Sequence, residues 1–151
     1  MTEVDCSKCH EVRKHSGIND RPLDRDAIEQ RVVDDRAGAI VVFSGVVRNH
    51  DTGQHVTGLE YSAHPSAGET LAQIVEEIAH TYPLYSIAIE HRVGRVDVGG
   101  LAMVAAVSAA HRSEAFAANA ALVDLVKEKL PIWKEQFYVD QTSGWVGLEQ
   151  S

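Results

Sequence analysis

The stretch Lys-Glu-Lys-Leu-Pro-Ile-Trp-Lys-Glu-Gln (127–136) gathers Lys127, Lys129 and Lys134 around Pro131. A lysine becomes a usable acid, base or nucleophile once burial or a neighbouring cation lowers its pKa. Two other apolar segments end in basic groups. Arg48 follows Ala-Ile-Val-Val-Phe-Ser-Gly-Val-Val (39–47), and His111 with Arg112 follows Leu-Ala-Met-Val-Ala-Ala-Val-Ser-Ala-Ala (101–110). Arginine offers a two-pronged fork to phosphate, and a helix start beside it adds free N–H groups. These residue types fit a pocket for an anion. A plainer account also stands. The helix dipole favours lysine in any last turn, which covers Lys127 and Lys129. Arg48 can be a solvated loop residue and His111 a packing residue. Lys134, beyond the proline and beside Trp133, is the hardest to explain that way.

The whole chain makes local cations more informative. It has 151 residues, with 22 acidic against 14 basic and a formal charge of −8. Such a balance argues against broad nucleic-acid binding, which needs a basic surface. No apolar run reaches the roughly 18 residues of a membrane span. The N-terminus lacks the apolar region of a signal peptide, so the expectation is a soluble, cytoplasmic protein. Cys6, Cys9 and His10 spell the haem-attachment pattern, and His15 could complete a zinc set. All four sit in one short polar segment with no second knuckle. The reading is therefore a tail over residues 1–20, with no metal or cofactor, followed by one domain over 21–151.

The elements that must hold the cations follow from pattern. Asp24 caps a helix through Arg-Asp-Ala-Ile-Glu-Gln-Arg-Val-Val-Asp-Asp-Arg, with Gly38 as its terminating glycine. Residues 39–47 read as a strand buried on both faces. Residues 48–55 read as a loop and 56–63 as a second strand. Ser66 and Glu69 fit a capping box that opens a helix to about Tyr82, with Leu71, Ile74, Val75 and Ile78 as its stripe. Pro83 ends it. Residues 84–94 form a strand, Gly99–Gly100 a turn, and residues 101–110 a buried strand. A long helix spans Ser113 to Lys129, with Phe116, Ala120, Val123 and Leu130 as its apolar face, and Pro131 stops it. Residues 132–139 and 144–147 are β-like. The class is α/β in the α+β sense, with helices packed on a mixed, largely antiparallel sheet. No P-loop, dinucleotide fingerprint or nucleophile elbow competes. His50, His55, His64, His80 and His91 read as scattered and mostly exposed.

Taken together, Gly-Ala-Ile-Val-Val-Phe-Ser-Gly-Val-Val-Arg-Asn-His-Asp-Thr-Gly, His-Arg-Val-Gly-Arg-Val-Asp-Val-Gly-Gly, Val-Ser-Ala-Ala-His-Arg-Ser-Glu-Ala-Phe, Val-Lys-Glu-Lys-Leu-Pro-Ile-Trp-Lys-Glu-Gln and the final Trp-Val resemble the large, catalytic subunits of molybdopterin synthase. The likeness runs from about Arg36 to Val146 in the expected order. It implies an α/β hammerhead fold and a homodimer. Each subunit would bind a small ubiquitin-like sulfur carrier, giving a heterotetramer. The carrier's C-terminal Gly-Gly thiocarboxylate would supply two sulfurs to cyclic pyranopterin monophosphate, forming the molybdopterin dithiolene.

Position by position, the resemblance implies Lys127 and Lys134 as catalytic residues. It implies Val46, Val47, Arg48, His111, Arg112, Lys127, Lys134, Glu135 and Gln136 as substrate contacts. Val46 stands where many relatives have lysine. Two rival readings remain. One is a non-catalytic module that only docks a ubiquitin-like tail; the other is a metal or redox protein built on the Cys6–Cys9–His10 segment.

Overall fold

Alternation along Leu101–Ala109 shows how the core is laid out. Met103, Ala105, Val107 and Ala109 join one apolar cluster, while Val104 and Ala106 join another. Successive strand residues point to opposite faces, so this strand is covered on both sides. The computed structural model describes residues 11–51, 54–138 and 143–146. Its elements are β1 (Arg13–Asn19), α1 (Arg25–Gln30), β2 (Ala39–Val46), β3 (His50–Asp51), β4 (Gln54–Ala63), α2 (Ala67–Thr81), β5 (Ser86–Arg92), β6 (Gly94–Asp97), β7 (Leu101–Ala109), α3 (Arg112–Lys129), β8 (Ile132–Tyr138) and β9 (Ser143–Val146).

The fold is the expected mixed α+β class, and the described strands form two sheets. The first runs β1-β5-β7-β2, with β1 parallel to β5 and the other pairs antiparallel. The second runs β3-β4-β8-β9, with β6 also paired to β4. Helices α2 and α3 cover one face of the first sheet. There Leu71, Ile74, Val75 and Ile78 of α2 meet Ile87, Ile89 and Val107, as the helical stripe predicts. On the other face Leu23, Ile28 and Val32 pack on Ala88, Val104 and Ala106. A third cluster, Val47, Val56, Leu59, Val96 and Ala102 with Tyr61, belongs to the second sheet.

Several expectations are corrected. Residues 13–19 of the expected tail form β1. Their polar side chains have partners far along the chain: His15 Nε2 lies 2.8 Å from a Glu90 carboxylate oxygen, and Arg13 donates to the Arg31 and Val33 carbonyls. Cys6, Cys9 and His10 lie outside the described residues. Asp24 does cap α1, accepting from the Ala27 N–H at 3.0 Å, but the helix stops at Gln30. Gly38 is needed for a different reason than ending that helix. Its N–H donates to the Ala109 carbonyl, and a Cβ there would stand 2.5 Å from the Ala110 carbonyl oxygen.

Other corrections concern caps and faces. Ser66 makes no side-chain cap bond; its hydroxyl pairs with His64 Nδ1 at 2.9 Å instead. Strand β2 is an edge strand and only half-buried, not covered on both faces. The loop expected over 48–55 contains β3 and the start of β4, and β6 was not expected at all. Helix α3 buries Ala115, Ala118, Asn119, Leu122 and Val126, whereas Phe116 is 61% exposed. Alanines surround this helix, so its period marks more than one face; the sheet takes the smaller side chains, which allow close approach. Asn119 is at home there because its Nδ2 donates to the Val41 and Ala105 carbonyls at 3.1 and 3.0 Å. Pro131 ends the helix as expected, and Leu130 is extended.

Candidate functional site

The turn from β7 into α3 sets the first group of cations. His111 is the N-cap in extended geometry, and Arg112 opens the helix. Both are exposed and line an open cleft with Gly38, Ala110 and Ser113. The first-turn N–H groups of α3 face the end of the helix and favour an anion there. Glu114, accepting from the Ser113 hydroxyl at 3.3 Å, is the opposing charge in that turn.

The second group lies at the other end of the same elements. A register shift between Gly45 and Val46 pairs Val46 with Leu101. Val46 is 54% exposed, and Val47 turns into the third cluster at 3% exposure. The Val47 N–H donates to the Gly100 carbonyl at 3.0 Å, and its carbonyl accepts from the Gly99 N–H at 2.8 Å. Gly99 has φ +89°, the left-handed geometry that glycine adopts without strain. Val47 is thus a strut that delivers exposed Arg48 beside the β6–β7 turn. Helix α3 runs back along β7, with Asn119 fixed near Ala105, and brings Lys127 to this same end.

Strand β8 supplies the rest. Directly opposed residues of an antiparallel pair share a face. Lys134 opposes Tyr61, Glu135 opposes Glu60 and Gln136 opposes Leu59. Lys134 and Gln136 therefore share the face of Tyr61 and Leu59, and Glu135 points to the other face beside Glu60. The sequence-predicted trio cannot line one surface together. Gln136 is fully buried at 0% exposure, so its side chain and that of Val47 are both closed to a ligand. Lys127 and Lys129 are both exposed, but two helical residues stand about 200° apart, so they face different ways.

Sequence reasoning missed two residues, Tyr61 opposite Lys134 on β4 and His91 on β5. His91 is buried at 9% exposure, not exposed as expected. The Tyr61 and His91 rings meet edge to face at 5.4 Å between centroids. Burial pushes the Tyr61 hydroxyl up to about 12. Burial also holds the His91 imidazole below its ordinary value; the Arg92 carbonyl opposes that shift and the Lys127 charge adds to it. The signal was present in Ser-Ile-Ala-Ile-Glu-His-Arg, whose alternation puts His91 on the side of Ile87 and Ile89. One chain thus brings Arg48, Lys127, Lys134, Tyr61 and His91 to one end, and leaves His111 and Arg112 at the other. Among the described residues no cluster of His, Cys, Asp or Glu could hold a metal, and no helix is long and apolar enough to cross a membrane.

Known proteins resemble this arrangement in sequence and fold. The family model described as MoaE protein matches residues 18–129. A molybdopterin synthase catalytic subunit from Nostoc is 40% identical over 129 residues, covering 84% of this chain and 78% of the relative. The crystal structure of molybdopterin synthase from Staphylococcus aureus superposes with a TM-score of 0.81 at 36% identity, covering 86% of this chain and 95% of that one. A complex of subunits 1 and 2 of molybdopterin-converting factor from Helicobacter pylori shares the fold, with a TM-score of 0.69 at 19% identity over 93% and 92% of the two chains.

Proposed function

The chain belongs to the MoaE protein family, whose relatives are molybdopterin synthase catalytic subunits, and from that premise we propose that it transfers sulfur to a pterin in molybdenum cofactor biosynthesis. The donor is the C-terminal thiocarboxylate of a small ubiquitin-like carrier subunit. The acceptor is cyclic pyranopterin monophosphate, which gains two sulfurs to become the dithiolene of molybdopterin. The protein works in the cytoplasm as a homodimer carrying two copies of the carrier. The observation that supports this best is the placement of Arg48 and Lys127 at the β6–β7 turn end of the first sheet with Lys134 on β8 of the second, since both substrates are anionic.

The roles follow from charge. Arg48 and the His111–Arg112 pair hold the cyclic phosphate and the pterin. Lys127 lies nearest the thiocarboxylate, moving a proton as sulfur attacks or briefly accepting the acyl group. Lys134 stabilises the negative charge that develops. His111 and Arg112 are too far from Lys127 within one chain to share its substrate. Sixteen residues along a helix span about 24 Å, so a second copy of the chain supplies the His111–Arg112 pair to each lysine site.

The test is incubation with thiocarboxylated carrier and the pterin precursor. Formation of the dithiolene supports the reading. A stable complex with the carrier and no product would mean that the chain is only a docking module.

A further inference from the structure

Two apolar features have no use in the roles above. The first is the outer edge of β2. Among the described residues only β7 pairs with this strand, so alternate residues turn their N–H and C=O groups outward. The edge reads Ala-Ile-Val-Val-Phe-Ser-Gly-Val, with no charge and no proline, the devices that keep an edge single. The opposite edge of the same sheet, β1, carries Arg13, Lys14 and His15. The second feature is a stripe on α3. Phe116, Ala120 and Val123 follow one another at helical spacing between Arg112 and Lys127, with no acidic residue among them. Phe116 and Ala120 are exposed and Val123 is half-buried. Ala118 and Leu122, on the other flank of Asn119, are buried in the cluster shared with α2. The stripe therefore hangs over the outer edge of β2.

Asn119 relates the two features. Its Nδ2 donates to the carbonyls of Val41 on β2 and Ala105 on β7, and Ala105 is the register partner of Phe43. The axis of α3 thus runs over the gap between these strands, and Asn119 lies level with the middle of β2. Asn119 is also midway between His111 and Lys127. A single two-fold axis at the β2 edge passes the midpoints of strand and helix together.

We propose that the β2 edge and the Phe116–Ala120–Val123 stripe are the contact between two copies of this chain, paired antiparallel about that axis, and that this contact builds each site from both copies. The inference rests on the two-copy reading of the sulfur-transfer site. Pairing β2 with its copy joins the two first sheets and sets the two α3 axes about 10 Å apart, the distance of packed helices. Phe116 meets the second copy's Val123, and Ala120 sits at the axis, small enough for close approach. Ala39 comes opposite the second copy's Val46. Ala39 follows Gly38 of the His111–Arg112 cleft, and Val46 precedes Arg48 by two residues. One copy's His111 and Arg112 are thereby laid beside the other's Arg48 and Lys127. No other edge of this sheet does so without burying charge.

The experiment uses full-length Ala120→Glu, Ala120→Lys and Phe116→Glu. Both positions are exposed in the single chain, so each variant keeps its fold, with circular dichroism as the check. Analytical ultracentrifugation over a concentration series gives the dimer dissociation constant. At the axis Ala120→Glu meets its own copy, as does Ala120→Lys, and each is expected to dissociate at least about tenfold more readily than wild type. Phe116→Glu is expected to weaken the dimer likewise. Mixing Ala120→Glu with Ala120→Lys sets opposite charges across the axis and restores the dimer. Single-turnover sulfur transfer is lost where either variant alone is monomeric and returns in the mixture. Variants that dimerise as tightly as wild type, a mixture no tighter than its parents, or a wild-type chain that is monomeric at micromolar concentration would overturn the proposal. A wild-type dimer that responds to these charges as expected but forms no product would overturn the sulfur-transfer reading alone.

Discussion

His111 and Lys127 stand at opposite ends of one helix, the first at its N-cap and the second in its last turn. About 24 Å of helix separates them, too far for one small substrate to bridge. If two copies complete each site, a chain with Lys127→Ala and a chain with Arg112→Ala complement each other. Each homodimer is expected to be inactive. Their random mixture should recover about a quarter of wild-type turnover, since half the dimers are mixed and each has one intact site. A mixture as inactive as its parents would place both residues in one chain's site.

His91 makes the fold sensitive to acid. Its folded pKa lies below the ordinary 6.5, so the unfolded chain takes up this proton first. The stabilisation from the neutral ring is complete above that value and is lost as pH falls through it toward the lowered one. Thermal unfolding should show Tm falling between about pH 7.5 and pH 5.5, with a shallower fall in His91→Gln. Equal slopes for the two proteins would assign the acid sensitivity elsewhere.

Gly38 lines the His111–Arg112 cleft. A methyl group there meets the Ala110 carbonyl oxygen at 2.5 Å, and backbone cannot yield as a side chain can. Gly38→Ala should cost about 1–3 kcal/mol in denaturant unfolding, the usual range for overpacking. It should also weaken phosphate-bearing substrate more than carrier. A neutral outcome would mean that the β7–α3 turn relaxes freely.

Cutting the chain back to Gly17 is harmless if residues 1–20 are a tail. The strand over Arg13–Asn19 changes that expectation, because the cut removes most of its pairing with β5 and the His15–Glu90 contact. A protein starting at Ile18 should lose more than about 5 °C in Tm. An unchanged Tm would show that β1 adds nothing to the first sheet.

These cases show which features a single sequence carries. Strand β7 and the stripe of α2 were legible because their periods are unbroken and their partners are apolar. Strand β1 was hidden because its polar residues are satisfied by Glu90, Arg31 and Val33, and no local pattern marks partners so far along the chain. The face of α3 was misread because alanine lies on several sides and Phe116 drew the stripe toward itself. The site's cations were legible by type and spacing. Their division between the two ends of α3 needed the helix to be laid along β7. The opposite facing of Lys134 and Glu135 needed the β4–β8 register.

The central claim is that the lysine facing this site, and not merely a cationic helix end, performs sulfur transfer. Single-turnover product formation by Lys127→Ala, Lys134→Ala and Lys129→Ala tests it most directly, with circular dichroism as the fold control. Lys127→Ala should form no dithiolene while still binding carrier, and Lys134→Ala should be severely slowed. Lys129→Ala should remain within about a few-fold of wild type, because an exposed charge away from the site contributes little. An active Lys127→Ala beside an inactive Lys129→Ala would contradict both the helix register and the assignment of the site.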